Sequence, residues 1–213
     1  MKKAMSIILG ILFFGSVWGI SEVFVGEALY RTGFGYASVP LTVIALVVLS
    51  LAKAHLPQAG VSLAVGCCAA GYKCLAMFSA IAETPIYTCH LLGIFLLGAT
   101  YEIVFSLLPR RNKALCAVAA TYGSYVLFAL LITYVFRYQP WAAGGPAKVL
   151  RHILISGTLA AGGGAILVPP TFRLAEAIGR KTVRPALLRP QLATVGLCLV
   201  TATLWAAAIL LAV

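Results

Sequence analysis

A glutamate, Glu22, sits in the apolar stretch "FFGSVWGISEVFVGEAL", and a lysine, Lys73, sits in "VSLAVGCCAAGYKCLAMF". An ionisable side chain inside so apolar a helix is costly to leave alone, and marks a functional site by default. On a helix, residues three, four and seven positions apart share a face. Around Glu22 these are Gly15, Trp18, Gly19 and Gly26; around Lys73 they are Gly66, Ala69, Ala70, Ala76, Met77 and Ala80. Each charge therefore lies in a groove of small side chains, and the Gly15-x-x-x-Gly19 spacing lets another helix approach closely. At 1.5 Å of rise per residue, Lys73 lies roughly 20 Å from the inner start of its helix, which puts it level with Glu22 in the outer half of a bundle.

The run "ETPIYTCH" adds Glu83, Tyr87 and His90, the last beside Cys89. Trp18, Glu22, Lys73, Glu83, Tyr87 and His90 are expected to define a partly polar cavity open to the outside. Its chemistry would be recognition of a small polar or zwitterionic solute. The Glu22 and Lys73 charges would supply complementarity, His90 a hydrogen bond or a metal contact, and Trp18 with Tyr87 a stacking wall. The bland reading is that Glu22 and Lys73 neutralise each other and hold two helices in register. Glu102 is expected to have such a structural role, paired with Lys53 or the Arg110-Arg111 turn. Tyr122 and Tyr125 are expected to pack or bridge helices. His152 is predicted at a depth similar to His90. The alternative function is therefore a membrane anchor of a respiratory complex, with haem b or quinone held between His90 and His152. A third reading, an intramembrane enzyme using Glu22 or His90 as acid or base on lipid, lacks a serine-histidine, paired-carboxylate or metal-ligand signature. Outside the respiratory reading no cofactor is implied.

The elements that must position these residues follow from composition. The 213 residues are 62% hydrophobic and 10% charged, where a soluble domain carries about a quarter charged. Spanning a hydrocarbon core takes roughly 20 apolar residues. Seven runs qualify, at 4–26, 38–56, 60–81, 86–108, 114–136, 149–171 and 191–212. The prediction is an all-α polytopic transmembrane helical bundle, a single domain over 1–213. Glu83-Thr84-Pro85 is taken as the break between the third and fourth spans, because proline ends or kinks a helix. A six-helix division with one re-entrant hairpin is the alternative. The start "MKKAMSIILGILFFG" resembles a secretory signal, but its apolar run is too long and lacks a small-x-small cleavage site, so it reads as an uncleaved first span.

With the N-terminus in the cytoplasm, Lys2, Lys3, Lys53, Arg110, Arg111, Lys113, Arg173, Arg180, Lys181, Arg184 and Arg189 fall on the inner side. Only Arg31, Arg137, Lys148 and Arg151 fall outside. That bias obeys the positive-inside rule and accounts for the net charge of +11 without nucleic acid. Tyr138 and Trp141 of the outer "FRYQPWAAGGP" suit an interfacial aromatic belt. The six cysteines all lie in apolar runs without zinc spacing and read as buried thiols. "LAAGGGAIL" lies within a span and reads as a packing or flexible segment, not a phosphate loop. No internal repeat points to an inverted-repeat carrier.

Trp18-Gly19-x-x-Glu22-x-x-x-Gly26 and the helix density resemble small prokaryotic membrane proteins of the kind exemplified by the substrate-binding S components of energy-coupling factor transporters. The resemblance covers the first helix and the architecture. It implies a multi-pass protein of the prokaryotic inner membrane, with a small-molecule ligand in the outer half and a coupling subunit contacted through Gly15 and Gly19. Two features depart from the family: its members usually have six helices with both ends inside, and no family ligand motif is present here.

Overall fold

The computed structural model describes residues 2–76, 87–108 and 112–182. It is an all-α bundle, without strands among the described residues. α1 (Lys2–Arg31), α2 (Ser38–His55), α3 (Val61–Ala76), α4 (Tyr87–Leu107) and α5 (Lys113–Leu130) follow one another. α5 continues through a π-helical turn, Leu131–Val135. Two short outer helices follow, α6 (Gln139–Ala142) and α7 (Gly145–Arg151). α7 runs without interruption through a second π-helical segment, His152–Gly157, into α8 (Thr158–Thr182).

Five of these rods are long and apolar enough to cross a membrane, over Ala4–Arg31, Ser38–His55, Cys89–Leu107, Lys113–Val135 and Gly145–Ile178, and Val61–Leu75 is a shorter apolar helix. These correspond to the first six predicted spans; the seventh, 191–212, lies outside the described residues, as does the predicted break at Glu83-Thr84-Pro85.

Two boundaries differ from the predicted ones. α1 runs on to Arg31, because nothing breaks it before Gly33, whose φ of +67° reverses the chain; an Arg31 to Glu27 ion pair of 2.8 Å ties its last turn. The sixth span passes through Pro169 and Pro170 instead of ending at 171. Its added end pairs with α5, where Lys113 meets Glu176 at 3.0 Å and lies over the Phe172 ring at 4.1 Å.

The helices close into a ring in the order α1, α3, α4, α5, α8, α2 and back to α1. Water cannot drive helices together within lipid, so close backbone approach must do much of the work, and glycines sit at the tight contacts. A Cβ at Gly15 would stand 2.5 Å from the Cys68 Cβ, and one at Gly19 would stand 2.5 Å from the Tyr72 Cβ. α3 and α4 cross glycine to glycine, Gly66 against Gly98, and a Cβ at Gly163 of the "LAAGGGAIL" segment would stand 2.6 Å from Val43. That segment therefore packs α8 on α2. The small face of α1 is taken by the chain's own α3, so Gly15 and Gly19 are not an open surface for a coupling subunit. The thiols also differ in part from their predicted burial: Cys89 and Cys116 are buried, but Cys67 is exposed.

The half of the ring away from the α1–α2 turn is filled. Tyr101 stacks on Phe105 at 4.1 Å between centroids, Phe105 stacks on Phe172 at 5.7 Å, and Leu46, Leu49 and Val168 close around them. The Tyr101 hydroxyl is satisfied by Ser50 at 2.8 Å. At this end Glu102 accepts from Lys53 at 2.6 Å and from the Gly60 and Ser62 backbone N–H groups, each at 2.9 Å. The carboxylate thus fastens α4 to α2 and to the start of α3, the structural role expected of it. The opposite end, which the charge bias assigns to the outside, is open.

Candidate functional site

The open end holds a cavity of about 790 Å³. Its floor is the Glu22 cluster. Trp18 and Glu22 are one helical turn apart on α1, which aligns the indole N–H with the carboxylate; Trp18 Nε1 donates to Glu22 Oε1 at 3.1 Å. α3 runs parallel to α1, Gly15 against Cys68 and Gly19 against Tyr72. That register brings Lys73 level with Glu22, and Lys73 Nζ donates to Glu22 Oε2 at 3.1 Å and to the Glu22 backbone oxygen at 3.2 Å. Trp18 is 0% exposed, Lys73 1% and Glu22 7%, so this is an ion pair removed from bulk water. Gly26, one turn above Glu22, borders the lysine: a Cβ there would lie 3.9 Å from Nζ, an ordinary contact.

Of the predicted set, Trp18, Glu22, Lys73 and His90 all line this one cavity. Glu83 lies outside the described residues. Tyr87 begins α4, but its side chain also falls outside the description.

His152 lines the cavity too, from a different helix. Its ring stacks on Tyr125 at 4.7 Å, lies 5.6 Å from Phe128, and meets Trp141 edge-on at 4.9 Å. Tyr125 bridges α5 to α2 as expected, its hydroxyl 3.2 Å from Thr42 Oγ1 and donating to the Ser38 carbonyl oxygen at 3.3 Å, and it lines the cavity as well. Tyr122, one turn earlier, also does what was expected and bridges to Thr158 at 2.7 Å. Trp141 and Tyr138, expected in an interfacial belt, line the cavity. The turn inward starts at Arg137, whose φ of +48° lies in the left-handed region, a conformation costing about 1 kcal/mol for a residue with a Cβ. Tyr138 N–H then donates back to the Ile132 oxygen at 3.0 Å, and Trp141 packs edge-on against Phe128 at 5.2 Å.

Sequence reasoning missed this second wall, together with Glu27, Tyr30 and Lys148, which also line the cavity. The spacing of Tyr125, Phe128 and Ser124 along α5 places them on one face, but Tyr122 obeys the same periodicity. The two π-helical segments flank the aromatic wall, and such segments recur at functional sites.

A cavity of this size suits a small molecule, and an apolar lining with a few convergent polar groups is the usual composition of such sites. No cluster of three or more His, Cys, Asp or Glu side chains suited to a metal ion occurs among the described residues. Fold and site together define the class: a polytopic α-helical bundle built for a membrane, with a ligand-sized cavity at one end. No family model matches the chain, and neither does any curated protein or solved structure.

Proposed function

We propose that this chain is a membrane binding or transport subunit that takes a small polar or zwitterionic solute into the outer half of its bundle. The observation that supports this reading is a cavity of about 790 Å³ with a buried glutamate–lysine pair at its floor and an aromatic wall above it. A ligand carrying both charges can exchange its own ammonium and carboxylate for part of the Glu22–Lys73 contact, so the buried charges never lack a partner. His90 adds a polar edge, and Tyr125 and Trp141 offer flat surfaces to the remainder of the solute. The sequence contains no nucleotide-binding motif, so ATP could enter only through a partner subunit.

The experiment is native mass spectrometry of the protein extracted gently from its own membrane. A small adduct on the wild type that is missing from a folded Glu22→Gln variant is the expected result. Retention of the same adduct by that variant at wild-type occupancy would overturn the assignment.

A second reading rests on His90 and His152 lining the same cavity from different helices: a haem or quinone between them in a respiratory anchor. The same spectrum distinguishes the two. A haem-mass adduct with a Soret band, lost in His152→Ala, would replace the solute reading.

A further inference from the structure

We propose that the outer mouth of the bundle carries a second site, an anion-binding vestibule that takes a phosphate-bearing group on Lys148, Arg151 and His152. This goes beyond the solute reading and does not use the Glu22–Lys73 pair, although Lys148 and His152 also line the main cavity.

Beside the main cavity lies a second pocket of about 580 Å³, between the α1–α2 turn at Gly35 and Tyr36 and the α7 rod. Lys148, Arg151 and His152 occupy positions i, i+3 and i+4 of that rod, so they share a face, and all three line the pocket. Among the described residues, no carboxylate does. Four described cations, Arg31, Lys53, Lys73 and Lys113, each meet a glutamate within 3.1 Å, whereas the exposed Arg137 and Arg173 form no ion pair among the described residues and line neither pocket. Lys148 and Arg151 form no ion pair among the described residues. The Lys148 ammonium is held instead by neutral groups, the Pro140 carbonyl oxygen at 2.6 Å and the Trp141 ring at 5.1 Å. Two cations and an imidazole therefore line a pocket that has no counter-charge among the described residues. Their position adds to this. Outer loops are normally poor in lysine and arginine, yet two of the four basic residues assigned outside stand here. The planar guanidinium fork and an adjacent ammonium match a tetrahedral phosphate, which accepts several charge-assisted bonds at once.

Phosphate can come from the water or from a lipid headgroup at this depth, and one experiment separates them. The full chain is placed in phosphatidylcholine nanodiscs and titrated with radiolabelled inorganic phosphate; in parallel it is placed in mixed phosphatidylcholine and phosphatidylglycerol nanodiscs, and retained lipid is read by native mass spectrometry. Saturable phosphate retention would support a water-borne ligand, and selective retention of phosphatidylglycerol a lipid one. Retention of neither phosphate nor phosphatidylglycerol would overturn the site. Lys148→Gln with Arg151→Gln should weaken whichever binding is seen by about tenfold or more, the loss expected for two charge-assisted contacts, whereas Lys148→Arg with Arg151→Lys should retain most of it. Unchanged binding in the double Gln variant would equally overturn the site. If that variant does not fold, Gly35→Leu serves in its place: a Cβ there meets nothing within 4 Å, and the added side chain should block the vestibule. Glu22→Gln should leave this binding in place, so failure of the solute reading and failure of the vestibule remain distinguishable.

Discussion

Lys73 Nζ contacts Glu22 twice, at the carboxylate (3.1 Å) and at the main-chain oxygen (3.2 Å), so α3 is tied to both the side chain and the backbone of α1. With Trp18 Nε1 on the other carboxylate oxygen, the acid is held in one orientation at the floor of the cavity. Removing either charge leaves the other buried, which costs about 3–5 kcal/mol. Glu22→Gln and Lys73→Met should each lower the melting temperature in detergent markedly. The double variant should recover most of it, since an uncharged pair of similar volume restores balance. Ligand binding should stay absent in the double variant; recovery of binding along with stability would reduce the pair to a register device.

Gly19 should tolerate no enlargement. A Cβ at this position would stand 2.5 Å from the Tyr72 Cβ and 2.8 Å from its Cγ; Tyr72 is 2% exposed and has no room to retreat. Gly19→Ala should therefore cost about 1–3 kcal/mol, as overpacking does. Gly71→Ala, where nothing lies within 4 Å, is the matched control and should be neutral or mildly stabilising, because alanine is the better helix former. Thermal unfolding of both in one detergent checks the contrast, and equal melting temperatures would contradict the α1–α3 register.

Glu102 provides the opposite test, a buried acid far from the cavity. Glu102→Gln should destabilise by about 3–5 kcal/mol, since Lys53 loses its counter-charge. Ligand occupancy measured on the surviving folded fraction should equal that of the wild type. A loss of occupancy without a loss of stability would move the functional site to the inner end.

Trp141 closes the aromatic wall around His152. Trp141→Ala should open the cavity mouth and remove one stacking surface. The expected outcome is ligand release about tenfold faster or more, with helicity by circular dichroism unchanged, because the short α6 helix contributes no membrane-spanning segment. Unaltered release would exclude the aromatic wall from the site.

Much of the floor was legible from one helix at a time. Helical periodicity alone sets Trp18, Glu22 and Gly26 on one face, and composition and charge bias alone call for a membrane bundle with few outward cations. The match of Glu22 with Lys73 follows from helical rise once both helices are taken to run the same way. What periodicity does not carry is the rotation of a helix in lipid. Interior and surroundings are both apolar, so Tyr122 and Tyr125 look alike in sequence, and only packing turns Tyr125 to the cavity and Tyr122 to Thr158. The same holds for Gly15 and Gly19: their spacing demands a close neighbour, but which helix answers it is decided by the ring closing with α3 inside the chain. The cage of Tyr125, Phe128 and Trp141 around His152 joins α5, α6 and the start of the α8 rod, through a reversal at Arg137 with no glycine or proline at the turn residue itself. Local sequence determined the elements and the charged floor, whereas tertiary structure alone decided the second wall, because its residues meet only when separate helices are brought together.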